Sequence, residues 1–330
     1  MNMISRALAA VILLTAAALW FWFKALPEHL FRYVLKRRYP LPGTPAYGRV
    51  EAKAVQAEPR LWIDTMPYEE VGVMSHDGLA LKGWFLPANR TAGQDSEKDA
   101  GTSVSAATMI LAHGYSGHPR QISNIARVLY EQSGYNILMP CSRGCGFSQG
   151  DYIGFGWLDR LDYHLWIDWV KERTVANGPV TIILYGISMG GATVLMTAGE
   201  GLPPEVKAVI EDCGYTSVYD ELLHQMKLHY HIQNEKLMKR VSNVCKRRAG
   251  YSFEEASTLD QVKKITAPVL FIHGDADTFV PFKMGPALYA ACAAPKELYV
   301  VRGASHGEAC TSDPEEYRRR ITQFLRKYSL

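Results

Sequence analysis

Apolar residues come along this chain in short runs, and the character of the runs changes after the first. That first run, Ala7 to Phe23, carries no charge and closes on Trp20-Phe21-Trp22-Phe23. As helix it measures about 26 Å, near the lower limit for a hydrocarbon core of about 30 Å. Aromatic rings suit the membrane–water interface, and Lys24 can snorkel there. Residues 1–23 therefore predict a retained membrane anchor. A cleaved signal peptide is the main rival and a buried helix the lesser one. Against cleavage, Ala16-Ala17-Ala18 is followed by bulky rings and then by Lys24, Glu28 and Arg32. Only Arg6 precedes the run, whereas Lys24, Arg32, Lys36, Arg37 and Arg38 follow it. The heavier basic flank predicts a single-pass chain with the remainder on the cytoplasmic face of the membrane. These cations either touch anionic headgroups or form a solvated helix face. Pro40-Leu41-Pro42-Gly43-Thr44-Pro45 stops any helix leaving the membrane, so 24–66 reads as a juxtamembrane connector.

From Pro67 onward the pattern is different. Glu70–Met74 and Leu79–Leu86 flank His76-Asp77-Gly78, a hairpin signal. The polar stretch Ala88–Ala107 reads as a surface loop. Thr108–Ala112, Tyr135–Met139, Val180–Tyr185, Val206–Ile210, Pro268–Ile272 and Leu298–Val301 are continuous apolar runs, as expected of strands buried on both faces of a parallel sheet. Helical patterns over Arg120–Gln132, Trp157–Arg173, Met189–Gly199, Phe282–Ala293 and Pro314–Lys327 separate them. The alternation predicts an α/β catalytic domain over 67–330, with a mostly parallel sheet of about eight strands and helices on both faces. Between Tyr215 and Lys264 the rhythm breaks into helix-compatible sequence. This segment, 215–264, predicts a helical cap inserted over the carboxyl ends of the strands, where ligands bind in such sheets.

Composition narrows the classes without choosing among them. The 330 residues are 48 % hydrophobic and 21 % charged, which excludes a disordered chain. Lys and Arg exceed Asp and Glu by 36 to 33, with no basic stripe for nucleic acid. Six cysteines are too few for a disulfide scaffold. Cys141 and Cys145 read as plain buried thiols, with a disulfide or a zinc site as the weaker alternatives. His224, His229 and His231 read as a helix face in the cap rather than as metal ligands. No dinucleotide-binding or phosphate-loop pattern occurs, so no cofactor is expected.

The pentapeptide Gly-x-Ser-x-Gly occurs three times, centred on Ser148, Ser188 and Ser305. Its setting discriminates between the copies. A nucleophile elbow is a sharp turn directly between a buried strand and a helix, with glycines where the backbones come too close for a Cβ. Only the copy at Ser188 has the strand Val180–Tyr185 before it and a helix pattern after it. A serine hydroxyl needs a base, and the base an orienting carboxylate, here in the order Ser, acid, His. His306 is the sole histidine beyond His273 and is the expected base. Asp277 is the preferred acid, with Asp275 and Asp212 as competitors. The backbone N–H groups of Met189 and Tyr115 are the expected oxyanion donors. His113 precedes the serine and reads as a residue that holds loop backbone.

The ordered set His113-Gly114-Tyr115, Gly186-Ile187-Ser188-Met189-Gly190-Gly191, Glu211-Asp212-Cys213-Gly214-Tyr215, His273-Gly274-Asp275-Ala276-Asp277 and Ser305-His306 resembles the α/β-hydrolase superfamily. Within it, the chain is similar to membrane-anchored bacterial hydrolases of the serine aminopeptidase-like and acyl-thioesterase-like branches. One loop departs from the usual pattern Asp-x-Arg-Gly-His-Gly-x-Ser, because cysteines stand at 141 and 145. The resemblance implies a serine hydrolase but is poorly specific for substrate, and a small-molecule or lipid-like ester or thioester is the first expectation. A peptidase acting on short peptides and a catalytically silent binding protein are the alternatives.

Overall fold

The computed structural model describes residues 3–36, 61–88, 107–115 and 117–328. All but the two end residues of the polar loop expected over 88–107, and most of the connector expected over 24–66, lie outside the described residues. Eight strands form one sheet: β1 Glu69–Met74, β2 Ala80–Leu86, β3 Thr108–Ala112, β4 Asn136–Pro140, β5 Ile182–Ile187, β6 Val206–Asp212, β7 Val269–Gly274 and β8 Lys296–Val301. Their spatial order is β1-β2-β4-β3-β5-β6-β7-β8. β1 and β2 are antiparallel to their neighbours, and the other six run parallel. The central strands are buried along their whole length, which is why their sequences are apolar runs and not alternations.

The helices longer than a turn or so are α1 Met3–Trp20, α2 Leu26–Leu35, α3 Ser123–Ser133, α4 Asp159–Thr174, α5 Met189–Gly199, α6 Val218–Tyr230, α7 Glu235–Ala249, α8 Met284–Ala291 and α9 Pro314–Lys327. Apolar residues of α3 and α9 pack on one face of the sheet, and those of α4, α5 and α8 on the other. The α/β-hydrolase architecture is therefore present. The cap lies between β6 and β7. α6 starts at Ser217, whose hydroxyl accepts from the Asp220 N–H, and α7 at Asn234, whose side chain accepts from the Leu237 N–H. Gly250, at φ 85°, ends α7 in the left-handed conformation.

The N-terminal part differs from the expected anchor followed by a connector. α1 continues through a π-helical turn, Phe21–Ala25, directly into α2. The wide turn comes just before Pro27, whose ring would otherwise meet the carbonyl four residues back. Along this rod the surroundings change. Val11, Ile12, Leu13 and Leu14 are largely exposed, whereas Phe31 and Leu35 are completely buried. The spacing of Pro27, Phe31 and Leu35 aligns them on one face, and that face packs on the cap. Glu28 pairs with Arg248 of α7 at 2.6 Å. The chain is pinned again where the Ile153 N–H donates to the Leu35 carbonyl at 2.8 Å. Residues 24–36 are thus a structural part of the globular domain. The stretch Val11–Leu35 is long and apolar enough, by length and composition, to cross a membrane.

Candidate active site

Ser188 sits between β5 and α5 with φ 58° and ψ −120°, a conformation that a non-glycine residue rarely holds. Two glycines make this turn feasible. A Cβ at Gly186 would run into the Gly190 carbonyl, and one at Gly190 into the Ala112 carbonyl. The Ser188 N–H is fixed by the Asp212 carbonyl at 2.8 Å. Strain at this turn is therefore held by packing from β3 and β6 on both sides.

The loop after β8 brings His306 to Ser188. Its Nε2 lies 2.8 Å from Ser188 Oγ, and its Nδ1 lies 2.7 Å from Asp277 Oδ2. The Asp277 side chain is fully buried. Its other oxygen, Oδ1, accepts from the Phe279 and Val280 N–H groups at 2.9 and 3.0 Å. Burial alone would raise the Asp277 carboxyl. Hydrogen bonds from His273 and His306, together with their charge, outweigh it and hold the group at about 2. Asp277 is thus ionised and its two oxygens are both committed. This leaves His306 Nδ1 as the donor to Asp277 and Nε2 as the acceptor facing Ser188, an arrangement able to take a proton from the hydroxyl.

The structure separates the competing residues. Asp275 Oδ1 accepts from the Gly303 N–H at 2.7 Å and braces a turn. Asp212 is buried under Tyr317, whose hydroxyl donates to it at 2.8 Å. Ser148 is completely buried and donates to the Cys141 carbonyl at 2.5 Å. Ser305 is exposed, and its N–H faces Glu308. His113 Nδ1 donates to the Gly114 carbonyl at 2.8 Å, and its Nε2 accepts from the Ser142 N–H at 3.0 Å. Burial pushes the His113 imidazole down to about 4, so it stays neutral between the two loops. Its contact brings Gly114 close to the serine: a Cβ there would stand 3.6 Å from Ser188 Cβ. Tyr115 and Met189 both line the cavity at Ser188.

That cavity has a volume of about 400 Å³. Leu222, Met226 and Tyr230 of α6 line it, together with Met238 and Val241 of α7 and Phe155, Phe279 and Val280. Leu30, Tyr33 and Val34 of α2 complete the wall, which the expectation of a juxtamembrane connector did not foresee. The hydroxyl of Tyr115 ties α2 to the site by donating to the Val34 carbonyl at 2.6 Å. Of the apolar cap residues, Leu228 is exposed and Leu223 packs into the cap core. Glu221 also lines the cavity. Its Oε1 accepts from Gln225 at 2.7 Å, and burial raises its carboxyl to about 8. Nothing in the sequence marks it, because an acidic residue on a cap helix reads as a solvated face.

Around the site, Arg143 joins Asp162 at 2.7 Å and Asp77 at 2.8 Å, with its side chain 7 % exposed. This fork holds the loop in which cysteines replace the usual polar pair. Cys141 and Cys145 are buried thiols, the first donating to the Cys145 carbonyl at 3.3 Å. Among the described residues, ligand-type atoms cluster at Cys213, Asp277 and His306, within 4.8 Å of one another. Two of the three are already bonded to each other. His224 reaches the Thr278 carbonyl at 2.8 Å, and His231 caps α6 in the left-handed conformation.

Residues 66–251 match the sequence profile of the X-Pro dipeptidyl-peptidase (S15) family. The chain belongs to this family of α/β hydrolases. The match includes Ser188 and most of the cap and stops before Asp277 and His306. Among relatives, protein YqkD of Bacillus subtilis is 28 % identical over 220 residues, which is 66 % of this chain and 70 % of YqkD. Human α/β hydrolase domain-containing protein 17B is 37 % identical over 204 residues, 60 % of this chain and 62 % of that protein. The solved structure of the Pyrococcus furiosus esterase Pf2001 superposes with a TM-score of 0.61 at 22 % identity, covering 80 % of this chain and 94 % of the esterase. The chain is thus a hydrolase of α/β-hydrolase fold.

Proposed function

We propose that the protein is a membrane-anchored serine hydrolase that cleaves a carboxylic ester or thioester. The observation that carries this reading is the continuous hydrogen-bonded series Asp277–His306–Ser188 opening on an apolar cavity. As Ser188 Oγ attacks the acyl carbon, its proton passes to His306 Nε2, and Asp277 stabilises the imidazolium. The carbonyl oxygen gains the negative charge and is received by the backbone N–H groups of Met189 and Tyr115. Collapse breaks the bond to the leaving alcohol or thiol, which takes the proton from Nε2. Water then repeats the sequence on the acyl-enzyme, gives its proton to His306, and releases the acid.

The cavity favours an acyl chain because its walls are mostly aliphatic and aromatic, with Met226 and Met238 able to adapt to chain shape. The N-terminal helix holds this cavity beside a lipid phase. The basic residues that follow the apolar run favour a single-pass topology with the domain on the cytoplasmic face. Labelling with a fluorophosphonate probe tests the nucleophile. Ser188→Ala should abolish labelling, while Ser148→Ala and Ser305→Ala keep it. Labelling that survived Ser188→Ala would refute the assignment. The family profile favours a second reading, cleavage of short peptides. A panel of acyl esters of graded length beside aminoacyl amides separates the two. The ester reading expects kcat/KM to rise with acyl length, and a flat ester profile with brisk amide cleavage would favour the peptidase.

A further inference from the structure

A second hollow, of about 490 Å³, lies between the N-terminal helix and α7, away from Ser188. One wall is Trp20, Phe23, Lys24 and Arg32, and the other is Arg240 and Arg247 on one face of α7. We propose that this crevice binds the phosphate of an anionic phospholipid, with the acyl chains lying along the apolar run above it.

Three independent observations meet here. The first is charge. Four cations line the crevice against a single carboxylate, Glu28, and that one is already engaged by Arg248 at 2.6 Å and Arg32 at 3.7 Å. The second is an unmet hydrogen-bonding group. Arg240 is held with its guanidinium 4.1 Å from the centre of the Phe23 ring and 5.8 Å from that of Trp22. In that position its Nη1 is buried and has no hydrogen-bond partner among the described residues. A buried donor without an acceptor is costly, and a planar guanidinium is suited to two phosphate oxygens. The third is place. The crevice opens where the exposed apolar residues Val11–Leu14 and Trp20–Phe23 give way to Lys24 and to α2, which buries Pro27, Phe31 and Leu35. A headgroup phosphate sits at that level when the helix spans a bilayer. A soluble anion would not need Trp20 and Phe23 in the wall, whereas a lipid has an apolar part to set against them.

This rests on the anchor reading, which extraction of membranes with alkaline carbonate tests separately. Chain that comes off the membrane overturns both. The crevice itself is tested on the purified full-length protein in detergent, by native mass spectrometry with phosphatidylglycerol and phosphatidylcholine offered in equal amounts. The wild type should retain phosphatidylglycerol preferentially, and Arg240→Gln/Arg247→Gln should lose that preference by about tenfold. Lys236→Gln/Lys239→Gln removes the same charge from α7 outside the crevice and should keep it. Circular dichroism melting confirms that both variants fold. Equal retention of the two lipids by the wild type, or equal loss in both variants, would overturn the proposal. Inorganic phosphate at millimolar concentration should leave the melting temperature unchanged. A rise matching that given by phosphatidylglycerol, and lost in Arg240→Gln/Arg247→Gln, would assign the crevice to a soluble phosphate instead.

Discussion

Asp275 and Asp277 stand two residues apart in one turn, yet their oxygens meet different partners. Asp277 faces His306, so Asp277→Asn should lower kcat by roughly 10⁴, as expected when the imidazole is left in the wrong tautomer. Asp275→Asn keeps an oxygen able to accept from the Gly303 N–H and loses only the charge, so it should change ester turnover only a few-fold. Equal losses would reassign the acid. Glu221 gives a prediction about pH. Its folded-state value of about 8 lies above that of an unfolded glutamate. Its contribution is therefore complete at low pH and is lost as pH rises through 8. Glu221→Gln cannot ionise, so its stability relative to wild type should improve with pH by about 1.4 kcal/mol per unit between 5 and 8 and then level off. Thermal melts across that range check it, and parallel curves would place the carboxyl in water. These residues differ in how legible they are. Ser188, Asp277 and His306, the candidate triad, are legible through strand-end position and order. Glu221 has no such signature, because its burial comes from tertiary packing at the cavity and not from any local pattern.

At the scale of elements, α2 is the one that periodicity could have found. Pro27, Phe31 and Leu35 recur every four residues, with Leu30 and Val34 beside them. The proline cluster after Tyr39 stops a helix and makes 24–66 read as a juxtamembrane connector. Burial decides the matter: Phe31 is completely enclosed against the cap. Phe31→Ala should therefore cost on the order of 3 kcal/mol, or free α2 from the cap, as large-to-small core changes do. Urea unfolding measures the first outcome and protease sensitivity near residue 36 the second. A stability within about 0.5 kcal/mol of wild type, with unchanged proteolysis, would show that α2 adds nothing to the domain. The Arg143 fork behaves in a related way. Asp77 looked like a turn residue of the hairpin, and its pairing with a loop some sixty residues away is a tertiary fact that no local pattern carries. Arg143→Ala leaves Asp162 buried without its partner and should cost about 3–5 kcal/mol. Unfolding within about 1 kcal/mol of wild type would mean that the fork is dispensable.

For the whole molecule, the sheet was readable because strands buried on both faces must be apolar throughout, and the helices between them keep their own period. The relation between the N-terminal helix and the candidate active site was not readable, because it is set by a continuous helical run through the π-helical turn into α2 rather than by composition. That helix works as a ruler. From Lys24 to Val34 it advances about 15 Å at 1.5 Å per residue. If the helix spans a bilayer as proposed, a flexible tether would let the cavity roam through a volume above it, whereas a rod clamped by Phe31 and Leu35 holds the cavity at one height. On the proposed reading of a membrane-anchored ester hydrolase, the distance over which substrate must be lifted from the membrane is then a fixed property of the protein. Inserting Gly-Ser-Gly-Ser after Lys24 should leave turnover of a water-soluble short-chain ester unchanged. Turnover of the same acyl group presented in vesicles should fall several-fold, since a loose tether dilutes the aligned arrangement. Equal rates with and without the insertion would mean that height above the bilayer is immaterial and that substrate reaches Ser188 through water.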